Sequence, residues 1–440
     1  MSPPDVGPPA PGAGSLRVLM FGWEFPPRVS GGLGVACEGL VRGLLELDTR
    51  VTLVVPFRTS RRPPAPGLRV LSAPPPRKPK AKTRPPRVRL RIRRVRSLLA
   101  PYQTAEAYAD EWRELETPAT ATDPSPSLYG PDLATEVLRY SAVARAIARR
   151  ERFDVIHAHD WMTYLAGLEA RRVSGRPLVL HVHATEFDRT DGEGNPFVSR
   201  IERAGLTAAD RVVAVSGYTA EIVARRYGVP AERLRVVHNA IDARAPAHVW
   251  SVEEREPLVL FAGRITSQKG PEYFVEAAAR VARELPTVKF AVAGSGDRLE
   301  AMRARAAALG LSESFLFTGY LPPAQLDRLY ARADLYVMPS VSEPFGLTAL
   351  EALQHGTPVI VSKTAGVGEV VRNLLRVDFG DVEGLASHIL SVLLYPPLRG
   401  TLGQRGRAEV ERMSWRESAW RCLTVYRELV GESGGDSRRP

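Results

Sequence analysis

Apolar residues along this chain recur in two alternating patterns. LRVLMFG, residues 16 to 22, is a short unbroken run of the kind a buried strand needs, and LGVACEGLVRGLLEL after it places Leu33, Cys37, Leu40, Val41 and Leu44 at helical spacing. Between them lies a Pro- and Gly-rich loop, WEFPPRVSGG. The alternation continues with a strand in VTLVVPF, a helix in ATEVLRYSAVARAIARR, and strands in FDVIHAHD, PLVLHVHA and RVVAVS. A second series starts after VVHNAID: PLVLFAGR reads as a strand, PEYFVEAAARVARELP as a helix, VKFAVAGSG as a strand, DRLEAMRARAAALG as a helix ended by glycine, and ADLYVMPS as a buried strand. Strands that are apolar throughout, each followed by a helix, imply parallel sheets covered on both faces.

The restart of this rhythm divides the chain. ARAPAHVWSVEERE, residues 243 to 256, lacks periodicity and is the expected interdomain linker. We expect an α/β protein of two doubly wound, Rossmann-like domains, at 16–245 and 250–412, with a cleft between them where the carboxyl ends of the strands converge. SWRESAWRCLTVYRELV, within 414–430, reads as a capped amphipathic helix, flanked by a tail at 431–440; residues 1–15 read as a disordered head.

Composition narrows the setting. A chain of 440 residues exceeds what one hydrophobic core supports, which agrees with two domains. Its two cysteines, Cys37 and Cys422, form no disulfide framework, the first residues contain no apolar signal core, and no run is long enough to span a bilayer, so a cytoplasmic protein is expected. The net charge of +11 suggests a nucleic-acid partner until it is located. Residues 58–96 contain fifteen Lys/Arg and no Asp/Glu, leaving the rest of the chain at −4. We read this Pro-rich segment as an exposed insertion whose end, RVRLRIR, alternates like a strand with one basic face; it is either solvated or a patch for an anionic partner. Only Phe57, at its edge, offers a ring for base stacking, so nucleic acid is not expected.

Candidate chemistry lies at strand ends. In FAGRITSQKG a Gly263 turn is followed by Arg264 and Lys269 before a helix starting near Pro271, a combination suited to a diphosphate. A cap on a neighbouring helix or a pairing with a surface acid would use the same cations. VSGGLG, with Gly31 and Gly32, allows close backbone approach at the start of a helix but matches no standard phosphate loop. HAHDW and HVHA end two strands of the first domain. Without an accompanying Cys or an HExxH they do not suggest zinc, and hydrogen bonding to a polyhydroxyl ligand is the better functional reading. There is no DxD triplet, so no metal is implied at a diphosphate, and Arg264 and Lys269 would have to neutralise it. SVSEPFGLTALEALQHGTP carries Glu343 before a turn and Glu351 eight positions later, an arrangement that helix-dipole complementarity alone would also permit.

Together, GWEFPPRVSGGLG, HAHDW, VHA, VVHNAID, GRITSQKG and EPFGLTALE resemble retaining glycosyltransferases of the two-Rossmann-domain (GT-B) class, over nearly the whole chain. Within that class the opening loop and HAHDW look most like glycogen and starch synthases and their bacterial relatives. The resemblance implies that Glu343 lies against the donor sugar and that Glu351 binds the nucleotide's ribose. It also implies that the loop amides of Phe345, Gly346 and Leu347 face phosphate, that His183 contacts the sugar, and that Asp160 lies near sugar and acceptor. Gly31 and Gly32 correspond to the loop beneath the phosphates. It implies no cofactor, a nucleoside diphosphate sugar as substrate (UDP- or ADP-glucose), a polysaccharide acceptor, and a final helix that crosses back onto the first domain. One departure is Val29, where glycogen synthases usually carry lysine. A related transferase acting on a lipid-linked or surface polysaccharide precursor fits the same motifs, with the basic segment touching anionic lipid. A sugar-nucleotide epimerase would share the phosphate site without needing an acceptor.

Overall fold

The computed structural model describes residues 15–29, 31–57, 65–73, 133–190, 194–242 and 256–436. β1 (Arg17–Phe21), β2 (Arg50–Val55), β3 (Leu68–Ser72), β4 (Val155–His159), β5 (Leu178–Val182), β6 (Arg211–Ala214) and β7 (Leu234–Val236) form a parallel sheet in the order β3-β2-β1-β4-β5-β6-β7. β8 (Leu258–Ala262), β9 (Lys289–Ala293), β10 (Phe315–Gly319), β11 (Leu335–Met338), β12 (Val359–Ser362) and β13 (Leu375–Val377) form a second one, in the order β10-β9-β8-β11-β12-β13. β4, β5, β8 and β11 are buried along their whole length, as strands covered by helices on both faces must be. In each sheet the strand order reverses once, between β1 and β4 and between β8 and β11. Loops leaving these strands part to opposite faces and open a crevice at the carboxyl ends.

Among the helices that cover these sheets, α1 (Gly32–Glu46), α2 (Leu133–Ala148), α3 (Trp161–Ser174), α4 (Pro196–Ala208), α5 (Gly217–Tyr227), α6 (Pro271–Glu284), α7 (Leu347–Gln354) and α8 (Trp415–Asp436) matter most for the site. α8 begins at Ser414, whose hydroxyl accepts a hydrogen bond from the Glu417 amide at 3.2 Å. Its Ala419, Cys422, Leu423, Tyr426 and Leu429 join Val18, Met20, Cys37, Leu40 and Leu44 in one core, so the helix after the second domain completes the first. α1 and α8 pack closely because of glycine. A Cβ on Gly39 would lie 2.2 Å from the Trp415 ring, and one on Gly43 2.3 Å from the Trp415 carbonyl.

Two expectations from sequence are corrected. Residues 58–96 are not a continuous exposed insertion: Leu68–Ser72 pairs in parallel with β2 as an edge strand, with Leu68 only 6% exposed. The density of proline and charge around LRVLS outweighed its own apolar pattern. The tail is shorter than expected, since α8 runs to Asp436; once nucleated, a helix extends at little cost until something breaks it. The RVRLRIR stretch, the linker at 243–255 and residues 1–14 of the head lie outside the described residues.

Candidate active site

The second domain gathers its candidate residues at the ends of β8 and β11. β8 leads into Gly263 and the half-buried Arg264, and a short turn at Ser267–Lys269 then brings the lysine back toward the crevice. There the Lys269 ammonium pairs with the Glu343 carboxylate, which is 7% exposed. The diphosphate candidate and the sugar-site candidate are therefore direct partners. The Glu343 backbone is fixed as well: its amide donates to Thr364 and its carbonyl accepts from Gly366, so the acid is held by the chain leaving β12. The turn that follows requires glycine at 346, where φ is 108° and a Cβ would come within 2.8 Å of the Met338 methyl. From that turn α7 starts at Leu347, with Phe345 buried beneath it. One turn into α7, Glu351 is half-buried and accepts a hydrogen bond from the Tyr330 hydroxyl at 3.1 Å.

Across the crevice Gly31 caps the start of α1, and a Cβ on Gly32 would sit 3.5 Å from the Leu347 side chain. The glycine loop of the first domain thus meets the start of α7. Among the described residues, a Cβ on Gly31 would meet nothing within 4 Å apart from its chain neighbours, so packing there gives no reason for glycine. Both helix starts bring unpaired backbone N–H groups to one place, an arrangement that favours anions.

Asp160 and His183 form a unit. Asp160 has positive φ (56°), uncommon for a residue with a side chain, and its carboxylate is buried. One oxygen accepts from the His183 amide at 2.7 Å and the other lies 3.4 Å from the Arg189 guanidinium. Arg189 in turn contacts Glu186 and Glu202, and its donation to the Ala184 carbonyl at 2.8 Å ties down the same loop. Asp160 is committed to shaping the segment that carries His183. The half-buried His183 ring meets the His159 ring, Nε2 to Nδ1, at 2.9 Å. Burial holds its pKa below the ordinary value, only partly offset by Asp160, so at neutral pH the imidazole is uncharged and both donates and accepts.

Two family profiles match in tandem: "Glycosyltransferase Family 4" over residues 98–245 and "Glycosyl transferases group 1" over residues 247–409. The alpha-maltose-1-phosphate synthase of Mycolicibacterium smegmatis is 32% identical over 71% of this chain and 88% of its own length. The chain belongs to the GT-B glycosyltransferases. The glycogen synthase of Mycobacterium tuberculosis is 28% identical over 97% of both chains. The solved sucrose-phosphate synthase of Thermosynechococcus elongatus shares the fold, with a TM-score of 0.71 at 20% identity, over 95% of this chain and all of its own.

The two halves of this glycosyltransferase are fastened beside the crevice by residues that motif reading passed over. The Ser342 hydroxyl donates to Asp188 of the first domain at 2.5 Å and lies 3.0 Å from the Tyr218 hydroxyl. Glu369 accepts from the Gly217 and Tyr218 amides at 2.8 and 2.9 Å, capping α5 from the opposite domain, and pairs with His238 at 2.9 Å. Burial pushes the Glu369 pKa upward, but the bonds from His238 and the two amides outweigh it and hold the carboxyl below its ordinary range. The available signal was positional: Ser342 and Glu369 both follow strands of the second sheet, in loops that open toward the first domain. The histidines of HAHDW and HVHA, expected from sequence to end two strands at one crevice, stand together in one cluster.

Proposed function

We propose that this glycosyltransferase is a retaining enzyme that moves glucose from a nucleoside diphosphate glucose, UDP- or ADP-linked, to the nonreducing end of an α-glucan in the cytoplasm. The Lys269–Glu343 pair carries the reading, because it sets a cation for the leaving diphosphate against a carboxylate for the sugar. The bond from the anomeric carbon to the phosphate oxygen breaks as the acceptor oxygen bonds to the same face. The acceptor's hydroxyl proton passes to the departing phosphate oxygen. Lys269, Arg264 and the amides of Phe345, Gly346 and Leu347 neutralise the diphosphate, with Gly31 and Gly32 closing over it. Glu343 steadies the oxocarbenium-like charge, Glu351 accepts from the ribose hydroxyls, and neutral His183 bonds a sugar hydroxyl. Asp160 acts through His183 as a positioning residue.

Relatives named as glycogen synthase and maltose-1-phosphate synthase support glucose as the transferred sugar. Val29, 40% exposed where glycogen synthases usually have lysine, favours keeping a second acceptor in view: a lipid-linked or surface polysaccharide precursor, met through the basic stretch of 58–96. Among the described residues no helix is long and apolar enough to cross a membrane. The test is a panel of UDP-, ADP- and GDP-glucose with glycogen, measuring acceptor-dependent release of nucleoside diphosphate and the anomeric configuration of the product. Release without glucan extension excludes the α-glucan acceptor, and inversion at the anomeric carbon excludes the front-face mechanism. Flotation with anionic vesicles separates the second acceptor from the first.

A further inference from the structure

Four histidines of the first domain line up on one face of its sheet. His157 and His159 are alternate residues of β4, His181 is the register partner of His159 on β5, and His183 continues that row past the strand end. Their rings stack, with centroids 4.5 Å apart for His157 and His159, 5.2 Å for His159 and His181, and 4.4 Å for His181 and His183. His157, His159 and His181 are all buried. Among the described residues, two buried nitrogens, Nε2 of His159 and Nε2 of His181, have no hydrogen-bond partner. Buried polar atoms are nearly always hydrogen-bonded, and two orphans in one cluster call for an occupant.

We propose that His157, His159 and His181 bind a transition-metal dication of the imidazole-preferring class, such as Zn²⁺. Each offers one nitrogen, and the three lie within 4.8 Å of one another. Nitrogens on a tetrahedral zinc stand about 3.4 Å apart, so binding requires the stacked rings to turn until their lone pairs meet at one ion. For His157 and His159 the outer bonds match what ligating histidines need, since a ring that binds metal through one nitrogen donates its other N–H; His157 Nε2 now lies 3.2 Å from His181 Nδ1, and ligation replaces that contact. His157 Nδ1 is 2.5 Å from the Tyr426 hydroxyl of α8, and His159 Nδ1 is 2.9 Å from His183. The ion would sit behind His183 rather than touch the donor, and would tie α8 to the residue that meets the sugar.

The experiment uses the full chain, stripped with chelator, equilibrated with micromolar Zn²⁺ or Co²⁺, desalted and analysed for metal. One ion per chain is expected, with the visible absorption of histidine-bound cobalt in the Co²⁺ form. His159→Gln and the double variant His159→Gln/His181→Gln should lose the ion while still melting cooperatively, and His388→Gln, in the second-domain helix Val382–Leu394, should retain it. Native protein that keeps less than about a tenth of an ion per chain, or lacks the cobalt spectrum, overturns the site whatever the variants do. Undiminished binding by the folded double variant overturns it equally.

Discussion

The Ser342 hydroxyl donates to the Asp188 carboxylate at 2.5 Å, and this contact joins the two domains beside the crevice. Ser342 precedes Glu343, and Asp188 closes the turn that follows His183. Thr185 and Asp188 form a capping box there, which fixes Asp188 before it meets the other domain. The loop that carries Glu343 is thus tied to the turn that follows His183.

Ser342→Ala removes this link without disturbing either core. We expect a stability loss of about 1 kcal/mol, read by thermal melting, because Asp188 keeps its bonds from Thr185. We expect kcat/KM to fall about tenfold, since small misplacement of reacting groups is costly. Unchanged kinetics would show that the contact plays no part in alignment.

Glu343→Gln and Glu351→Gln separate sugar chemistry from nucleotide binding. The first should fold normally, bind nucleoside diphosphate with native affinity, and lose transfer by about a hundredfold or more. The second should weaken nucleotide binding about tenfold, because the ribose loses a charged acceptor. Melting curves, nucleotide titration and initial rates on both proteins decide. A fully active Glu343→Gln enzyme would reduce this carboxylate to a partner of Lys269.

Glu369 supplies a pH signature. Its carboxyl is held below the ordinary range in the folded protein, so the clasp contributes stability above about pH 4.5 that is lost as pH falls through the depressed folded value. Glu369→Gln should cost about 1 kcal/mol at pH 7, in line with a helix cap. The gap in melting temperature between native and variant should stay constant above pH 5 and narrow below pH 4.5. A gap that widens in acid would contradict the assignment.

Gly39→Val drives a side chain into Trp415. Overpacking of this kind costs about 1–3 kcal/mol, and the urea midpoint should fall accordingly with the slope preserved. A native midpoint would mean that α8 is not seated on α1.

Much of this was legible in the chain because periodicity reports burial directly. Leu33, Cys37, Leu40, Val41 and Leu44 read as one helix face and are all buried in α1. The alternation of apolar runs and amphipathic stretches was enough for two parallel sheets. β3 was missed because a short edge strand is set by its neighbour β2, and its own flanks are basic and Pro-rich. The motifs at 264, 269 and 343 were visible as residue types at strand ends, but the pairing of Lys269 with Glu343 depends on the three-dimensional course of two loops 74 residues apart. Asp160 shows the same gap: its place at a strand end was readable, whereas its inward turn, set by a positive φ and by Arg189, was not. The histidine cluster needed strand register, which a single sequence does not carry.

The docking of α8 on α1 has a consequence for how the protein is made. During synthesis residues 258–410 emerge while Val18, Met20, Leu40 and Leu44 still lack the helix that covers them. The second domain has all its strands before the first has its last helix, so the domain translated first is the one completed last. Until residues 415–431 leave the ribosome, an apolar face of the nascent chain stays open to solvent. That interval is when the growing polypeptide most needs a chaperone.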